Sequence, residues 1–468
     1  MSTKKIYDIA ILGAGAAGLM AAIAAESCKA LVPGLAIAIL EKNEKAGKKL
    51  YATGNGRCNL LNRTSNPEDM RSAEGDAAGF TAASLAQCGP EELLRIFEDL
   101  GLDTVEEDGG RLYPRSLQAA SVVHALERGA LGGAEYEECR GAAGKAQLLC
   151  GFEAKTAELV PGAAAGNAKA QATVIAPDAA AGSTKAQLAV TAPDVPQELF
   201  AVHAADGRTV LARRLILASG GKAGIQYGCD GRGLKIAESL GHRIVRPIPA
   251  LTGLVCEETE LLEEVAGVRA RGRVSLWACS PNGSRSVLSE SAGEIQFNKD
   301  SVSGICVMDV SGAFRRRDGE CFVLELDLMP EWEEAALAEK LAARRDALGD
   351  YFLDALLPTK LAEAMVRLAG GTDAEPQALA KLLKTLRFTP TASKGWKEAH
   401  TTSGGIALEE VDPKTLESRL IPGLYTAGEA LDIDGPCGGY NLTWAFSSGW
   451  TAGRAAAMSL AGSSEEKR

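Results

Sequence analysis

The N-terminal pattern of apolar positions predicts a strand, a helix and a second strand in close succession. The apolar run Ile9–Leu12 is typical of a buried parallel strand, and Leu19–Glu26 has the character of a helix. A second apolar run, Leu35–Leu40, predicts another strand and ends at Glu41. Since strand, helix and strand follow one another directly, this segment predicts a unit with a crossover helix between parallel strands.

Three glycines lie between the first strand and the helix at the G-x-G-x-x-G spacing. Gly13 permits the tight turn, Gly15 lets the backbone approach a pyrophosphate, and Gly18 lets the helix pack closely on the strand. The helix N-terminus supplies free N–H groups to the phosphates. Glu41, at the tip of the second strand, can accept hydrogen bonds from both ribose hydroxyls. We therefore predict a dinucleotide site formed by Gly13, Ala14, Gly15, Ala16, Ala17, Gly18 and Glu41.

Further along the chain, the pattern predicts a domain that is interrupted and then resumed. Short alternating runs over residues 247–330 predict a β-rich insert domain, and the charged, Ala/Leu-rich stretch 331–393 predicts a helical subdomain. Apolar strands and glycine pairs return over 394–468. The first domain would thus consist of residues 1–246 and 394–468. It contains an Ala/Gly-rich insertion at about 161–197, which we interpret as a surface segment without an assigned role.

Composition narrows the function classes. The 468 residues carry a net charge of -11, which argues against a nucleic-acid or anionic-membrane partner. The eleven cysteines include no C-x-x-C pair and no Cys/His cluster at metal spacing, so we predict reduced thiols, a cytoplasmic protein and no metal site. Asp8 and the glycines that follow it argue against a signal peptide or a membrane span at the N-terminal apolar segment.

A loop rich in cations, glycines and amides follows the predicted ribose-binding acid, from Lys45 to Leu60. Its composition suits a chain that wraps a pyrophosphate and a ribityl group while its backbone lies close to a flat ring. This favours a flavin over a nicotinamide cofactor. The residues that we predict to bind it in this region are Lys42, Lys48, Lys49, Thr53, Gly54, Asn55, Gly56, Arg57, Cys58 and Asn59.

Three glycine-containing segments farther along the chain extend the same prediction. Gly220 follows the apolar run Leu215–Ala218, and Gly428 and Glu429 follow another predicted strand. In flavoproteins with two dinucleotide domains, a strand that leads into Gly-Glu near the C-terminus approaches the ribityl and phosphate groups. We therefore predict cofactor contacts from all three residues.

The third segment precedes a predicted helix from about Thr443 to Ser459. Its glycines allow the helix N-terminus to lie close to the pyrimidine edge of an isoalloxazine. The helix dipole and free N–H groups would stabilise negative charge at N1 and O2 of reduced flavin. The residues predicted to bind the ring are Gly438, Gly439, Tyr440, Asn441 and Leu442.

These segments also carry a resemblance that extends over nearly the whole chain. The motifs are Gly13–Leu19, Glu41–Asn62 with its T-G-N-G-R-C-N run, Gly109–Pro114, Thr402–Ile406, Gly428–Asp432 and Gly438–Gly449. They resemble the YhiN/BaiN-like family of flavoproteins, which are described as NAD(P)/FAD-dependent oxidoreductases or aminoacetone-oxidase-type FAD-binding enzymes. The resemblance implies an α/β fold in which a discontinuous Rossmann-like FAD-binding domain is interrupted by a β-barrel-like and a small helical subdomain.

The expected function is an FAD-dependent oxidoreductase that transfers a hydride between flavin N5 and a small organic substrate. The resemblance raises two reactions, NAD(P)H-fed reduction of a C=C bond conjugated to a ketone, as in bile-acid or steroid intermediates, and oxidation of a small amine; we prefer the reduction because no amine-binding cage is readable in the sequence. The alternatives are oxidation of a small amine by oxygen, action on RNA, and a flavin-binding protein without turnover. No catalytic residue is assigned; His400, two residues before a predicted flavin loop, is the weak candidate for a proton donor, and a local loop histidine is the alternative. The oligomeric state is left open.

Overall fold

The computed structural model describes most of the chain, and the predicted Ala/Gly-rich insertion lies almost entirely outside the described residues. The described ranges are 5–132, 145–162, 198–280, 283–315 and 320–465.

Strands and helices are numbered in chain order. The strands are β1 (Ile6–Leu12), β2 (Ile37–Leu40), β3 (Leu61–Asn62), β4 (Thr104–Glu107), β5 (Arg111–Pro114), β6 (Gln147–Leu149), β7 (Ala154–Pro161), β8 (Glu198–Ala204), β9 (Thr209–Leu217), β10 (Ile244–Ala250), β11 (Leu254–Cys256), β12 (Arg269–Cys279), β13 (Arg285–Phe297), β14 (Ser301–Ser303), β15 (Cys321–Asp327), β16 (Leu386–Phe388), β17 (Pro390–Ser393), β18 (Thr401–Ile406) and β19 (Leu424–Thr426). The helices are α1 (Ala16–Ser27), α2 (Ala77–Gln87), α3 (Pro90–Asp99), α4 (Ala119–Leu131), α5 (Arg232–Ser239), α6 (Thr259–Glu264), α7 (Ile305–Ser311), α8 (Glu334–Leu348), α9 (Thr359–Leu368), α10 (Pro376–Lys384) and α11 (Tyr440–Glu465).

The first sheet is a mostly parallel sheet built around β1. Its strand order is β6-β2-β1-β9-β8-β7, with β19 also paired to β9. β1 lies parallel to β2 and to β9, so that Ile11 is opposite both Ile39 and Ile216. Its residues Ile9 to Ile11 have no exposed surface, as expected for a strand covered on both faces. The predicted strand–helix–strand unit is therefore confirmed, and the fold is of the predicted Rossmann type.

Helices α1 and α11 pack against each other at the level of their backbones. A Cβ atom at Gly449 would lie 2.4 Å from the carbonyl oxygen of Ala17, and one at Gly453 would lie 2.2 Å from that of Ala21. Residues from Ala17 to Ala25 on α1 are all buried. Small residues on both helices therefore allow the C-terminal helix to lie directly on the helix that follows the glycine turn.

Residues 254–393, which we call the insert, contain a second hydrophobic cluster that runs from Leu254 to Phe388. Its seven-stranded antiparallel sheet has the order β16-β15-β12-β13-β14-β11-β17. Side chains of this sheet and of helices α8 to α10 belong to one hydrophobic cluster. The predicted β-rich and helical segments therefore share a core. The antiparallel pair β10 and β18 lies where the chain enters and leaves the insert, with Ala250 opposite Thr401.

The close contact of α1 and α11 predicts the effect of a single methyl group. A Gly→Ala change in an exposed helix usually stabilises by about 1 kcal/mol. We expect Gly449→Ala to destabilise the protein by about 1–3 kcal/mol instead, because the new Cβ overlaps backbone atoms of α1. Urea unfolding measures the difference. Met458→Ala, at an exposed position of α11, is the control and should change stability little. A Gly449→Ala protein as stable as wild type would contradict the packing.

His242 predicts a pH-dependent contribution to stability. Its imidazole is buried between the carboxylate of Glu410 at 3.0 Å and the hydroxyl of Ser418 at 2.9 Å. Burial lowers the pKa of His242 below 6.5, although Glu410 acts in the opposite direction. Below pH 6.5 the unfolded chain takes up a proton more readily than the folded protein. The free energy of unfolding should therefore fall as the pH drops from 6.5 through the lowered pKa.

The measurement is urea unfolding of wild type and His242→Gln at pH 8 and at successively lower pH values. Wild type should lose more stability on acidification than the variant does. Equal losses in the two proteins would show that His242 contributes nothing to this pH dependence.

Candidate active site

A cavity of about 1190 Å³ lies between the carboxyl ends of the parallel strands, the start of α11 and one side of the insert. The predicted site residues that line it are Gly13, Ala14, Gly15, Ala16, Ala17, Glu41, Lys42, Lys48, Lys49, Thr53, Gly54, Asn55, Asn59, Gly220, His400, Gly428, Glu429, Gly438, Gly439, Tyr440, Asn441 and Leu442. Four predicted cofactor-binding residues do not line it: Gly18, Gly56, Arg57 and Cys58.

The glycine turn after β1 has the geometry that phosphate binding requires. Gly13 has φ of +104°, and a Cβ there would lie 2.6 Å from the carbonyl oxygen of Ala218. Gly18 packs against the turn itself, since its Cβ would meet the carbonyl oxygen of Gly13 at 1.9 Å. No atom lies within 4 Å of the position that a Cβ on Gly15 would take. The open space at Gly15 and the N-terminus of α1 beside it suit a pyrophosphate.

Glu41 is buried at the end of β2 and is held by its neighbours. One carboxylate oxygen accepts the N–H of Ala14 at 2.9 Å, and the other accepts the N–H and the side-chain amide of Asn43 at 2.8 and 2.7 Å. A carboxylate has about four lone-pair sites, so in this arrangement one remains for a ligand hydroxyl, where the sequence analysis expects two ribose hydroxyls to bind. Asn43 thus fixes the orientation of the predicted ribose-binding acid.

Lys49 and Glu429 lie on the cavity wall and pair with each other. The ammonium group and one carboxylate oxygen of Glu429 are 2.8 Å apart. The other oxygen accepts the backbone N–H of Thr402 at 2.8 Å. Burial alone would lower the pKa of Lys49, but the attraction of Glu429 outweighs it and raises the pKa. The pair joins the loop after β2 to the segment after β19.

Strand β3 contacts the turn before α11. The side-chain amide of Asn62 donates to the carbonyl oxygen of Gly438 at 2.8 Å, and a Cβ on Gly439 would lie 2.4 Å from the carbonyl oxygen of Leu61. Asn59 also lines the cavity, and its buried Oδ1 has no partner among the described residues. This side of the cavity therefore has an unpaired acceptor beside a glycine turn that approaches it closely.

Arg57 and Cys58 turn away from the cavity. The Arg57 guanidinium pairs with Glu107 and lies over the ring of Tyr113, 4.4 Å from its centroid. Burial raises the pKa of the Cys58 thiol to about 11, so the thiol is protonated at neutral pH. Arg57 thus packs on a ring that itself lines the cavity, and Cys58 belongs to the hydrophobic core.

The turn before α11 is fixed from two sides. The side-chain oxygen of Asn441 accepts the N–H of Gly435 at 2.9 Å, and its amide donates to the carbonyl oxygen of the same residue at 2.8 Å. Asp309, on α7 of the insert, accepts the N–H of Cys437 at 2.7 Å. Burial raises the pKa of the Cys437 thiol to about 12. The insert thus contacts the turn that presents the N-terminus of α11.

The insert side of the cavity was not predicted from the sequence. Ile305 and Met308 of the insert supply apolar surface to it, together with Leu251 and Ile433 from outside the insert, beside His400. Ile305 is 44% exposed although it is a large apolar side chain. Burial lowers the pKa of His400, and the charge of Lys49 lowers it further, so the imidazole is neutral at pH 7. No local sequence pattern marks these residues, because distant segments bring them together.

The volume of the cavity and the polar groups that line it fit FAD. The space at Gly15, the remaining lone pair of Glu41 and the unpaired Oδ1 of Asn59 are features that a dinucleotide of this kind would use. The volume exceeds the 300–1000 Å³ that is usual for small-molecule pockets, which leaves room for a substrate beside a cofactor.

Comparison with known proteins identifies the family. The sequence matches the family described as HI0933-like protein Rossmann domain over residues 7–176 and 178–455. The chain belongs to the HI0933-like family. Among curated relatives, a 3-dehydro-bile acid delta(4,6)-reductase of Clostridium scindens is 33% identical over 96% of this chain and 98% of that protein. A ribosomal RNA dihydrouridine synthase of Escherichia coli is 26% identical over 95% of this chain and 96% of its own length.

Membership of this family confirms the predicted resemblance. It also confirms the prediction that the protein is an FAD-dependent oxidoreductase. In fold, a 3-ketosteroid delta1-dehydrogenase from Sterolibacterium denitrificans superposes with a TM-score of 0.46 at 13% identity, over 97% of this chain and all of that chain. That likeness adds nothing about the substrate of the HI0933-like chain.

Two further observations concern membrane-spanning helices and metal sites. Among the described residues, no helix is long and apolar enough to cross a membrane. Within the same part of the chain, no group of three His, Cys, Asp or Glu side chains is placed to hold a metal ion. The prediction that nucleic acid is not a partner stays a prediction, since a relative is named for an RNA product.

The two cofactor-facing glycines predict different results on substitution. Gly15→Glu should fold with the stability of the cofactor-free wild-type protein, because the new side chain enters open space, but should retain no FAD. Gly439→Glu should lose stability as well, because Gly439 has φ of +99° and its Cβ would overlap Leu61. The bound flavin is counted by absorbance after gel filtration, and stability is measured by urea unfolding. A Gly15→Glu protein with one FAD per chain would overturn this site.

Proposed function

We propose that this protein reduces a C=C bond conjugated to a carbonyl group in a small apolar substrate, with NAD(P)H as the electron donor. The observation that carries the proposal is the second wall of the cavity, where Leu251, Ile305 and Met308 line the same space as the turn that we predict to bind the flavin ring. A site of this composition suits a hydrocarbon skeleton with a single polar end.

The names of the relatives support the same chemistry. One relative is named for reduction of delta(4,6) double bonds in a 3-dehydro-bile acid, and another for the formation of dihydrouridine. Both products arise when two hydrogens add to a C=C bond in conjugation with a carbonyl group. FAD, when bound, would supply the hydride for such a reaction at N5.

The residues of the chain have distinct roles in this proposal. The turn at Gly13–Gly18 and the N-terminus of α1 would hold the pyrophosphate, and Glu41 would hold the adenosine ribose. Gly438, Gly439 and the N-terminus of α11 would hold the flavin ring and stabilise negative charge on it. Asp309 and Asn441 keep that turn in place from outside the ring.

Reduction of uridine in ribosomal RNA is the second candidate, because two relatives at 25% and 26% identity are named for it. The net charge of -11 disfavours a polyanionic substrate, and the identity to the bile-acid reductase is higher at 33%. We therefore place a small apolar enone first. Oxidation of a small amine by oxygen is the third alternative.

The test follows the two halves of the reaction in the absence of oxygen. Addition of NADH or NADPH to the purified holoenzyme should bleach the flavin absorbance, and a steroid with a conjugated ketone, such as testosterone, should then restore it. The Gly15→Glu protein serves as the control for absorbance that does not come from the site. Reoxidation by ribosomal RNA but not by testosterone would replace the first candidate with the second. A flavin that only an amine reduces would overturn the proposal.

A further inference from the structure

We propose that Thr252, Thr401 and His400 form the subsite that binds the carbonyl oxygen of the substrate. This inference rests on the proposed function, because reduction of a conjugated C=C bond moves negative charge onto that oxygen. To the proposed function it adds which end of the substrate the protein recognises and which side chains recognise it.

The first observation is a pair of buried hydroxyl groups without partners. Thr252 is 2% exposed and Thr401 is 6% exposed, and both residues line the cavity. The Oγ1 atom of each has no hydrogen-bond partner among the described residues. A buried polar group without a partner costs free energy, so such groups in a binding site are commonly completed by a ligand.

The fold brings the three residues together at the entrance to the insert. β10 and β18 pair with Ala250 opposite Thr401, and the N–H of His400 donates to the carbonyl oxygen of Leu251 at 3.3 Å. Leu251 has φ of +48°, a conformation that leucine rarely adopts. Backbone strain of this kind persists where the surroundings fix it, often at functional sites.

Alternation along β18 separates two threonines with different roles. The hydroxyl of Thr402 accepts the N–H groups of Lys222 at 2.7 Å and Ala223 at 3.0 Å, so it is committed to the loop after β9. Successive side chains of a strand point to opposite faces. Thr401 therefore faces away from that loop, and its hydroxyl is the one that remains unpaired.

The proposed contacts match the electron flow of the reaction. A hydride adds to the β-carbon, the electron pair of the C=C bond moves to the carbonyl oxygen, and a proton from solvent then reaches the α-carbon. NAD(P)H supplies the two electrons overall. Two hydroxyls and one ring N–H would donate hydrogen bonds to this oxygen. These hydrogen bonds become stronger as negative charge develops on the oxygen. Both Oγ1 atoms are covered in their present rotamers, so binding includes a rotation about χ1 of each threonine.

The experiment compares two ligands that differ at the carbonyl end. Testosterone and a saturated androstanol that lacks the ketone are titrated into oxidised holoenzyme, and binding is followed by the change in flavin absorbance. Wild type should bind the ketone more tightly. Thr252→Val and Thr401→Val should each reduce that preference about 5- to 10-fold, the effect of one lost hydrogen bond. Each variant should bind the ketone-free ligand as wild type does.

Thr426→Val is the matched control. Thr426 is also buried and its hydroxyl also has no partner among the described residues, but it does not line the cavity. The control should keep the wild-type preference for the ketone. A general effect of removing a buried hydroxyl would appear in all three valine variants, whereas a carbonyl subsite affects only two.

The outcomes separate this inference from the proposed function. If the two variants lose the ketone preference but wild type does not reduce testosterone, the subsite stands and the proposed reaction fails. If wild type reduces testosterone and the variants keep the full preference, the reaction stands and the subsite is wrong. If neither ligand binds to wild type, a subsite for a steroid carbonyl is wrong. His400→Gln should raise the concentration of testosterone needed for half-maximal flavin reoxidation, and an unchanged concentration would remove His400 from the subsite.

Discussion

The contact between the backbones of α1 and α11 is the constraint on which the site depends. Because Gly449 and Gly453 lie against carbonyl oxygens of α1, the two helices approach more closely than larger side chains would allow. Both helices begin at the same cavity, one at the turn after β1 and the other at Tyr440. Two positive helix ends from opposite ends of the chain thus meet at one cavity, and we propose the first for the phosphates of the cofactor and the second for its ring.

Two of the contacts between the insert and the rest of the protein bear on the site. The paired strands β10 and β18 lie where the chain enters and leaves the insert, and the Asp309 side chain on α7 accepts the N–H of Cys437. A displacement of the insert would therefore shift the turn that presents the N-terminus of α11. These contacts connect the wall proposed for the substrate to the wall proposed for the flavin. We therefore expect substrate binding and cofactor geometry to depend on each other.

The sequence predicted the parts of this site whose chemistry is local. The glycine spacing, the apolar strands and Glu41 are read within about forty residues of chain. The start of α1 was placed at Leu19, three residues late, because Gly18 is a poor helix former and its packing on Gly13 is a tertiary effect. The insert side was missed because Leu251 and His400 meet only through the pairing of β10 with β18. Unpaired hydroxyls such as that of Thr401 are a property of the packed structure.

Four ionisable groups that line the cavity, Cys437, His400, Lys49 and Glu429, are neutral or paired at pH 7, and Lys397 and Glu398 line it as well. Burial keeps the Cys437 thiol protonated and the His400 imidazole uncharged, and Glu429 balances the charge of Lys49. Neutral hydrogen-bond donors bind an uncharged carbonyl oxygen without the desolvation cost of a buried ion, and they hold it more strongly as it becomes negative. Neutral donors such as the His400 imidazole therefore suit the conjugated ketone that we propose as substrate, whose charge appears only during the reaction.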